Sequence, residues 1–551
     1  MNGLPSALNI FNNPIVRRFR RSQMRPVRLG AAIVITLVIA GFITTMAYLP
    51  LKYRVGFTEA DAGRAPFLPL LIFQAIILGI FGTAAIGGGI LRESEEGMIE
   101  YQRLTPLSPL SKVLGYLFGL PIRQYVAFGV AACFSAFSII VGEIPFRAWG
   151  SVYLVLFTST ILYHLMALIT GLIIKSRWRA GLIALGLVLV SHFFLPRLGE
   201  VGFPMFSHLS VIPVVGAHLT DLLPAMRGSY AGWWQQFLVS EVPFWNLRIS
   251  HVTFALLVQG SLIVTFILML VRRWRDEDAH LLGKAYAVGW LLWLQIILLG
   301  GVLPLVDRGR VFVGMLGAAT ELSREFSRLP GPIEARILAV IFGVISLLIL
   351  LPVISCMTPR EPTQMVAFRQ RKKFGWRRIP WLADGATAAP FAWLAAMITG
   401  TAWAVFVERL STSAAYGLNG FPMAGWGMFI GLALVMGAIF HFILEGYSRR
   451  MAWMTLFLAG LVPLFTSLVL VSISSQWLDT ARYLTSLSPL SAPWQPLHWL
   501  QQLEFTKSSS GSPARSADFG PFALFCTVHV GLCIALFIAW RRKRKARAAR
   551  A

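Results

Sequence analysis

The chain is 551 residues long, 56% hydrophobic and only 13% charged, with a mean hydropathy of +0.68. A soluble protein carries about 25% charged residues, so this composition excludes a water-solvated globular protein and calls for lipid around most of the surface. The net charge of +25 would invite a nucleic-acid reading in a soluble chain, whereas in a lipid-embedded one Lys and Arg gather at anionic headgroups, and no nucleic-acid partner is expected.

The first segment, 1–28, is basic and has no short apolar core followed by a small-residue cleavage site, so it reads as retained rather than as a secretory signal. Apolar runs follow at 29–50, 67–91, 113–141, 150–174, 179–195 and 251–271, then at 284–305, 335–355, 388–408, 422–444, 451–473 and 521–540. A helix of about 20 residues crosses the roughly 30 Å hydrocarbon core. The expected fold is therefore an all-α polytopic membrane protein of about 12 transmembrane helices. With the N-terminus placed inside, the inner segments hold 32 of the 49 Lys and Arg and the longer outer segments 16. Positive residues favour the cytoplasmic side, so both termini are expected there, in the inner membrane of the cell.

The order of loop sizes repeats. Each half has two spans, an inner segment (92–112, then 356–387), three closely spaced spans, a long outer loop (196–250, then 474–520) and a sixth span. This predicts two six-helix units, 29–272 and 284–540, joined by a linker at 273–283 and followed by a basic tail, 541–551.

A cluster of four glutamates within eight residues lies in "LRESEEGMIEYQRLTPLSPLSKVLG", residues 91–115. Glu93, Glu96 and Glu100 are spaced three and four apart, so a helix would put them on one face. Arg92 precedes Glu96 by four and Arg103 follows Glu100 by three, which predicts two intrahelical ion pairs. Gly97 weakens the middle, and Thr105-Pro106 and Ser108-Pro109 terminate the helix. The expected result is a short polar helix, a rigid turn and a return into the membrane at Lys112.

This stretch resembles the segment between the second and third spans of type-2 ATP-binding-cassette permeases. The residues that carry the likeness are Glu93, Glu95, Glu96, Gly97, Ile99, Glu100, Thr105, Pro106, Leu107 and Ser108, while Met98 departs from the small hydroxyl residue usual there. In that family the segment is the coupling helix, which docks on a cytoplasmic ATPase. The resemblance implies that Glu93, Glu95, Glu96, Gly97, Glu100, Arg103, Thr105, Pro106 and Ser108 form the ATPase-coupling element. "NNPIVRRFRRSQMRPVRLG" (12–30) is similar to the basic amphipathic connector helix of these permeases. There Ile15, Val16, Phe19 and Met24 would lie in the membrane interface, and Arg17, Arg18, Arg20 and Arg21 would face headgroups. Where the first half has its acidic motif, the second has "CMTPREPTQMVAFRQRKKFGWRRIP" (356–380), which keeps Thr358-Pro359 but is basic.

The resemblance implies a transport permease, not itself an enzyme, that exports an amphiphilic, polymeric or drug-like substrate. No cofactor would be bound directly, since ATP and Mg would be used by a separate cytoplasmic ATPase, in two copies. Membrane lipids are further partners, as is a second copy of the chain if the second unit does not complete the pathway. A membrane-embedded transferase acting on lipid-linked sugars or phosphates is the alternative, with a non-transporting scaffold as a third reading. The outer acids Glu200, Asp221, Glu241, Asp307 and Glu321 form no paired constellation, and no metal-ligand spacing is present. Polar residues inside spans, Gln74, Arg123, His164, His192, His441 and His529, read mainly as hydrogen-bonded core groups. Glu445 is expected to pair with Arg449. Cys133, Cys356, Cys526 and Cys533 show neither zinc nor disulfide spacing.

Overall fold

The computed structural model describes residues 12–173, 186, 188–200, 202–224, 241–309, 311, 331–375, 379–416, 424–447, 449–496 and 520–551. Among them eleven helices are long and apolar enough to cross a membrane, and the protein is a multi-pass helical membrane protein with one short hairpin. Residues up to Glu277 belong to one compact unit and the described residues from Asp278 onward to a second.

In the first unit, Asn13 starts α1 (Pro14–Gln23) by accepting the Ile15 N–H at 2.9 Å, with Pro14 at the position where a missing N–H costs nothing. In α2 (Pro26–Lys52) only Thr36 and Ala40 are buried, so Val34, Val38 and Phe42 present an apolar surface suited to lipid. A Thr58/Asp61 capping box opens the short α3 (Glu59–Arg64). The next span runs through α4 (Phe67–Ala75), a π-helical stretch (Ile76–Gly82) and α5 (Thr83–Glu95). Beside that π-stretch the Leu78 carbonyl accepts the His164 Nε2–H at 3.0 Å.

α6 (Met98–Leu104), α7 (Pro109–Gly119), α8 (Ile122–Val141) and α9 (Phe146–Ile173) follow. The single third span expected over 113–141 is divided between α7 and α8 at Leu120-Pro121. Proline has no N–H to continue the ladder and disfavours helix in the residue before it. The expected fifth span, 179–195, lies largely outside the described residues, although Val190–Phe194 is π-helical and Leu195–Glu200 α-helical. Within the predicted outer loop, β1 (Glu241–Phe244) pairs antiparallel with β2 (Leu247–Ser250), and Phe244 faces Leu247 across a two-residue turn. That hairpin is the departure from an all-α fold. It leads into α10 (His251–Arg275), whose last turns bring Leu270 and Trp274 against Ile86, Ile90, Ile99 and Tyr116.

The second unit contains α11 (Lys284–Asp307), α12 (Gly331–Met357), α13 (Glu361–Lys373), α14 (Ala389–Thr412), α15 (Ala424–Gly446), α16 (Arg449–Ile473) and α17 (Gly520–Arg550). α17 is one helix of 31 residues, so the basic tail continues the last span without a break. At 1.5 Å per residue it is about 46 Å long, well beyond a hydrocarbon core of about 30 Å.

Candidate functional site

The acidic segment is built differently from the single glutamate-faced helix expected. α5 ends with Glu96 as its cap, and Gly97 takes a left-handed conformation at φ 71°, where a side chain would be strained. α6 then restarts in a new direction. Glu93 and Glu96 therefore belong to one helix end and Glu100 to the next helix. Thr105-Pro106 terminates α6 as expected, Thr105 Oγ1 donating to the Gln102 carbonyl at 2.7 Å. Ser108 accepts the Ser111 N–H at 3.2 Å to start α7.

Both expected short-range ion pairs form, Arg92 to Glu96 and Arg103 to Glu100, each at 2.8 Å. Two long-range partners had no signal in local spacing. Glu93 accepts from Arg18 Nη2 at 2.5 Å and from Tyr116 Oη at 3.2 Å. Arg103 Nη1 also donates to Glu277 Oε2 at 2.5 Å, just beyond the end of α10. Tyr116 stacks on Trp274 with ring centroids 5.3 Å apart. One face of the segment is thus fastened to α1, α7 and the end of α10. Ile99 and Gln102 are buried on that face.

Lys112, 3% exposed, holds the turn from inside by donating its Nζ to the Arg103 and Thr105 carbonyls, each at 3.2 Å. Burial, helped by the neighbouring Arg103 charge, lowers its pKa. The opposite face is open: Glu95, Glu96, Gly97 and Pro106 are exposed, as are Tyr101 at 63% and Leu104 at 85%. An acidic rim around an exposed aromatic and an exposed leucine is a surface that another protein could cover.

The connector helix forms over Pro14–Gln23, but its apolar face does not lie in the membrane interface. Ile15, Val16 and Phe19 are buried, with Ile15 and Phe19 in the protein core. Gly115 and Gly119 on α7 permit this, because a Cβ at Gly115 would sit 2.8 Å from the Ile15 Cβ and one at Gly119 2.8 Å from Phe19 Cδ2. Asn13 Nδ2 donates to the Ser111 carbonyl at 2.7 Å. Arg18 is turned inward to Glu93 and over the Phe19 ring, while Arg17, Arg20 and Arg21 are exposed.

The intramembrane polar residues are mostly satisfied within the protein. Gln74 donates to Ser135 and accepts from Tyr153. His164 bonds Leu78 and Tyr125, and His192 and His529 each donate to a carbonyl of their own helix. Arg123 is exposed. Glu445 is buried rather than surface-paired: it is 4% exposed, 3.1 Å from His441 Nε2, and accepts from Thr387 at 2.9 Å. The side chain of Arg449 lies outside the described residues, as do Glu321 and the side chain of Glu200.

A buried histidine pair in the outer loop was not anticipated. His208 Nδ1–H donates to the Pro204 carbonyl at 2.6 Å, which leaves its Nε2 to accept from His251 Nδ1 at 3.0 Å. Burial first, and His251 second, push the His208 pKa down to about 3. Among the described residues no three His, Cys, Asp or Glu gather as metal ligands would. The four cysteines are free. Comparison with protein-family models, curated proteins and solved structures finds no match.

Proposed function

We propose that the protein is a permease subunit of an ATP-binding-cassette type transporter of the inner membrane, driven by a separate cytoplasmic ATPase that docks on the 92–112 segment. In this reading the two units are six-helix repeats, both termini are cytoplasmic, and the chain is an exporter. The observation that carries it is the two-sided construction of that segment. Its inner face is tied by Glu93, Arg103 and Lys112 to three other elements of the unit, while its outer face leaves Glu95, Glu96, Tyr101 and Leu104 for a partner. A push on such an element moves α1, α7 and α10 together, since the ties are charged or buried and the core beneath is close-packed. ATP closure of the partner would pull on the segment and tilt the spans attached to it.

The test is the ATP hydrolysis that co-purifies with the intact chain from its own membranes. Combining Glu96→Lys with Leu104→Glu should reduce it about tenfold or more, as for loss of a central contact. The melting temperature should stay unchanged, because both side chains are exposed. Undiminished ATPase association in that folded variant would overturn the docking reading. Turnover of a lipid-linked sugar by the isolated chain would favour the transferase instead.

A further inference from the structure

We propose that the second unit carries a specific site for an anionic phospholipid, its headgroup held by the start of the C-terminal tail. The tail "RRKRKARAAR" (541–550) looks like a uniform charge run, but as a continuation of α17 it has distinct faces. Lys543 and Arg547, four apart, are used inside the protein. Lys543 donates to the Gly446 carbonyl at 3.0 Å, and Arg547 donates to the Glu445 carbonyl at 3.1 Å and to Gln364 at 3.0 Å. Arg541, Arg544 and Lys545 fall on a neighbouring stripe at spacings of three and one. All three line a cavity of about 460 Å³ to which α13 contributes Arg371.

The rest of the wall is apolar and aromatic. Trp381, Phe537 and Trp540 are part of it, and the Arg544 guanidinium lies 5.2 Å over the Trp540 ring. The Trp540 indole N–H is buried and has no acceptor among the described residues. Among the described residues no carboxylate lines the cavity. Glu445 stands behind the lining residue Thr387 and beside His441, within reach of the Arg544 charge. Arg541, Arg544 and Lys545 of the tail therefore line a space whose described wall holds no acid.

Depth in the bilayer narrows the ligand. The sequence changes from apolar to basic at Trp540-Arg541, and indole rings settle at the headgroup level, so the cavity opens where phosphates lie. Arg and Lys recognise a phosphate through charge-assisted hydrogen bonds, while the aromatic wall offers a surface to the first carbons of an acyl chain. The volume falls within the 300–1,000 Å³ typical of sites for organic ligands, which is large for a lone ion.

The experiment uses the full chain in phosphatidylcholine nanodiscs doped with phosphatidylglycerol, with retained lipid counted by native mass spectrometry. The wild-type chain should retain phosphatidylglycerol in preference to phosphatidylcholine. Arg541→Gln with Arg544→Gln should lower that retention about tenfold or more, each cation near a headgroup contributing several-fold. Arg542→Gln with Arg550→Gln removes the same charge from exposed positions on another face and should change it less than about twofold. If the first pair does not fold, Lys545→Gln carries the same test with a drop of about fivefold. Equal losses in the two double variants would reduce the site to general surface attraction and overturn the proposal. Displacement of the lipid by excess inorganic phosphate as readily as by added phosphatidylglycerol would overturn the lipid assignment in favour of a free-anion site.

Discussion

The segment 92–112 of the first unit and the segment 356–387 of the second are made from similar parts put to different ends. Each begins at the end of a long helix and has a Thr-Pro stop, at Thr105-Pro106 and Thr358-Pro359. Each is held by a buried lysine whose ammonium group gathers its backbone carbonyls, Lys112 from within the first segment and Lys284 from the start of α11 for the second. Lys112 takes those of Arg103 and Thr105, and Lys284 those of Trp381, Ala383 and Ala386 at 3.2, 2.7 and 2.7 Å. The outer surfaces then diverge. The first segment leaves Glu95, Glu96, Glu100 and Leu104 uncovered. The second raises α13, whose Glu361 and Gln364 are engaged by Arg547 of the chain's own tail. A shared device fixes the turn, and the side chains around it decide whether the surface stays open or is engaged by the chain's own C-terminus.

The strongest way to test that shared device is to remove the lysines. Lys284→Met should destabilise the protein by about 3 kcal/mol or more, because three carbonyls lose their donor in a buried place. Lys112→Met, with two carbonyls at longer range, should cost about 2 kcal/mol. Thermal unfolding of the purified chain reads both. A Lys284 loss no larger than the Lys112 loss would mean that the number of carbonyls gathered does not set the strength of the turn.

Acid provides a contrast inside the first unit. The His208 pKa is lowered in the folded state, so the neutral ring is the bound form. Its contribution is complete above the ordinary histidine value of about 6.5 and declines as pH falls from there toward about 3. At pH 5 the loss should reach about 2 kcal/mol. Amide exchange should accelerate around 204–222, while 92–112, which contains no histidine, serves as the internal reference. Equal acceleration in both places would show that acid acts on something other than the histidine pair.

A smaller effect belongs to the tie between connector and acidic segment. Arg18 and Glu93 are 32% and 13% exposed, so a double-mutant cycle should give a coupling of about 1 kcal/mol. A coupling near zero would leave the link between α1 and the segment to the packing of Ile15 and Phe19 and the bond from Asn13 to Ser111.

How much of this was readable depended on distance along the chain. Apolar runs reported the spans directly, because lipid demands the same chemistry along a whole helix. Pairs such as Arg92–Glu96 followed from helical spacing. Arg18–Glu93 and Arg103–Glu277 join residues 75 and 174 positions apart, and no local pattern encodes them. The break at Gly97 had a local cue, a glycine after a helix end, but the glutamate spacing argued for continuity and backbone conformation overruled it. Glu445 had a basic neighbour four residues away in either direction, His441 and Arg449. Burial of the whole helix end brought His441 into contact, and helical spacing treats the two directions alike. The division of the basic tail into faces also needed the structure, because composition cannot say that the last span keeps turning beyond the membrane.

The most discriminating consequence concerns that tail. If α13 is closed to partners because Arg547 holds it, Arg547→Ala should uncover α13 while costing little stability. Its guanidinium reaches Glu361 at 3.4 Å, with 59% of the glutamate side chain exposed, and such pairs contribute at most about 1 kcal/mol. The bonds to Gln364 and to the Glu445 carbonyl add a similar amount. Limited proteolysis at the exposed Lys372 and Lys373 should then quicken about threefold or more, following the larger open population. Arg103→Ala should not produce that change, because its partners lie in the first unit. Unaltered cleavage after Arg547→Ala would mean that α13 is held by its own packing through Phe368 and Ala367, and the difference between the two segments would then rest on charge alone.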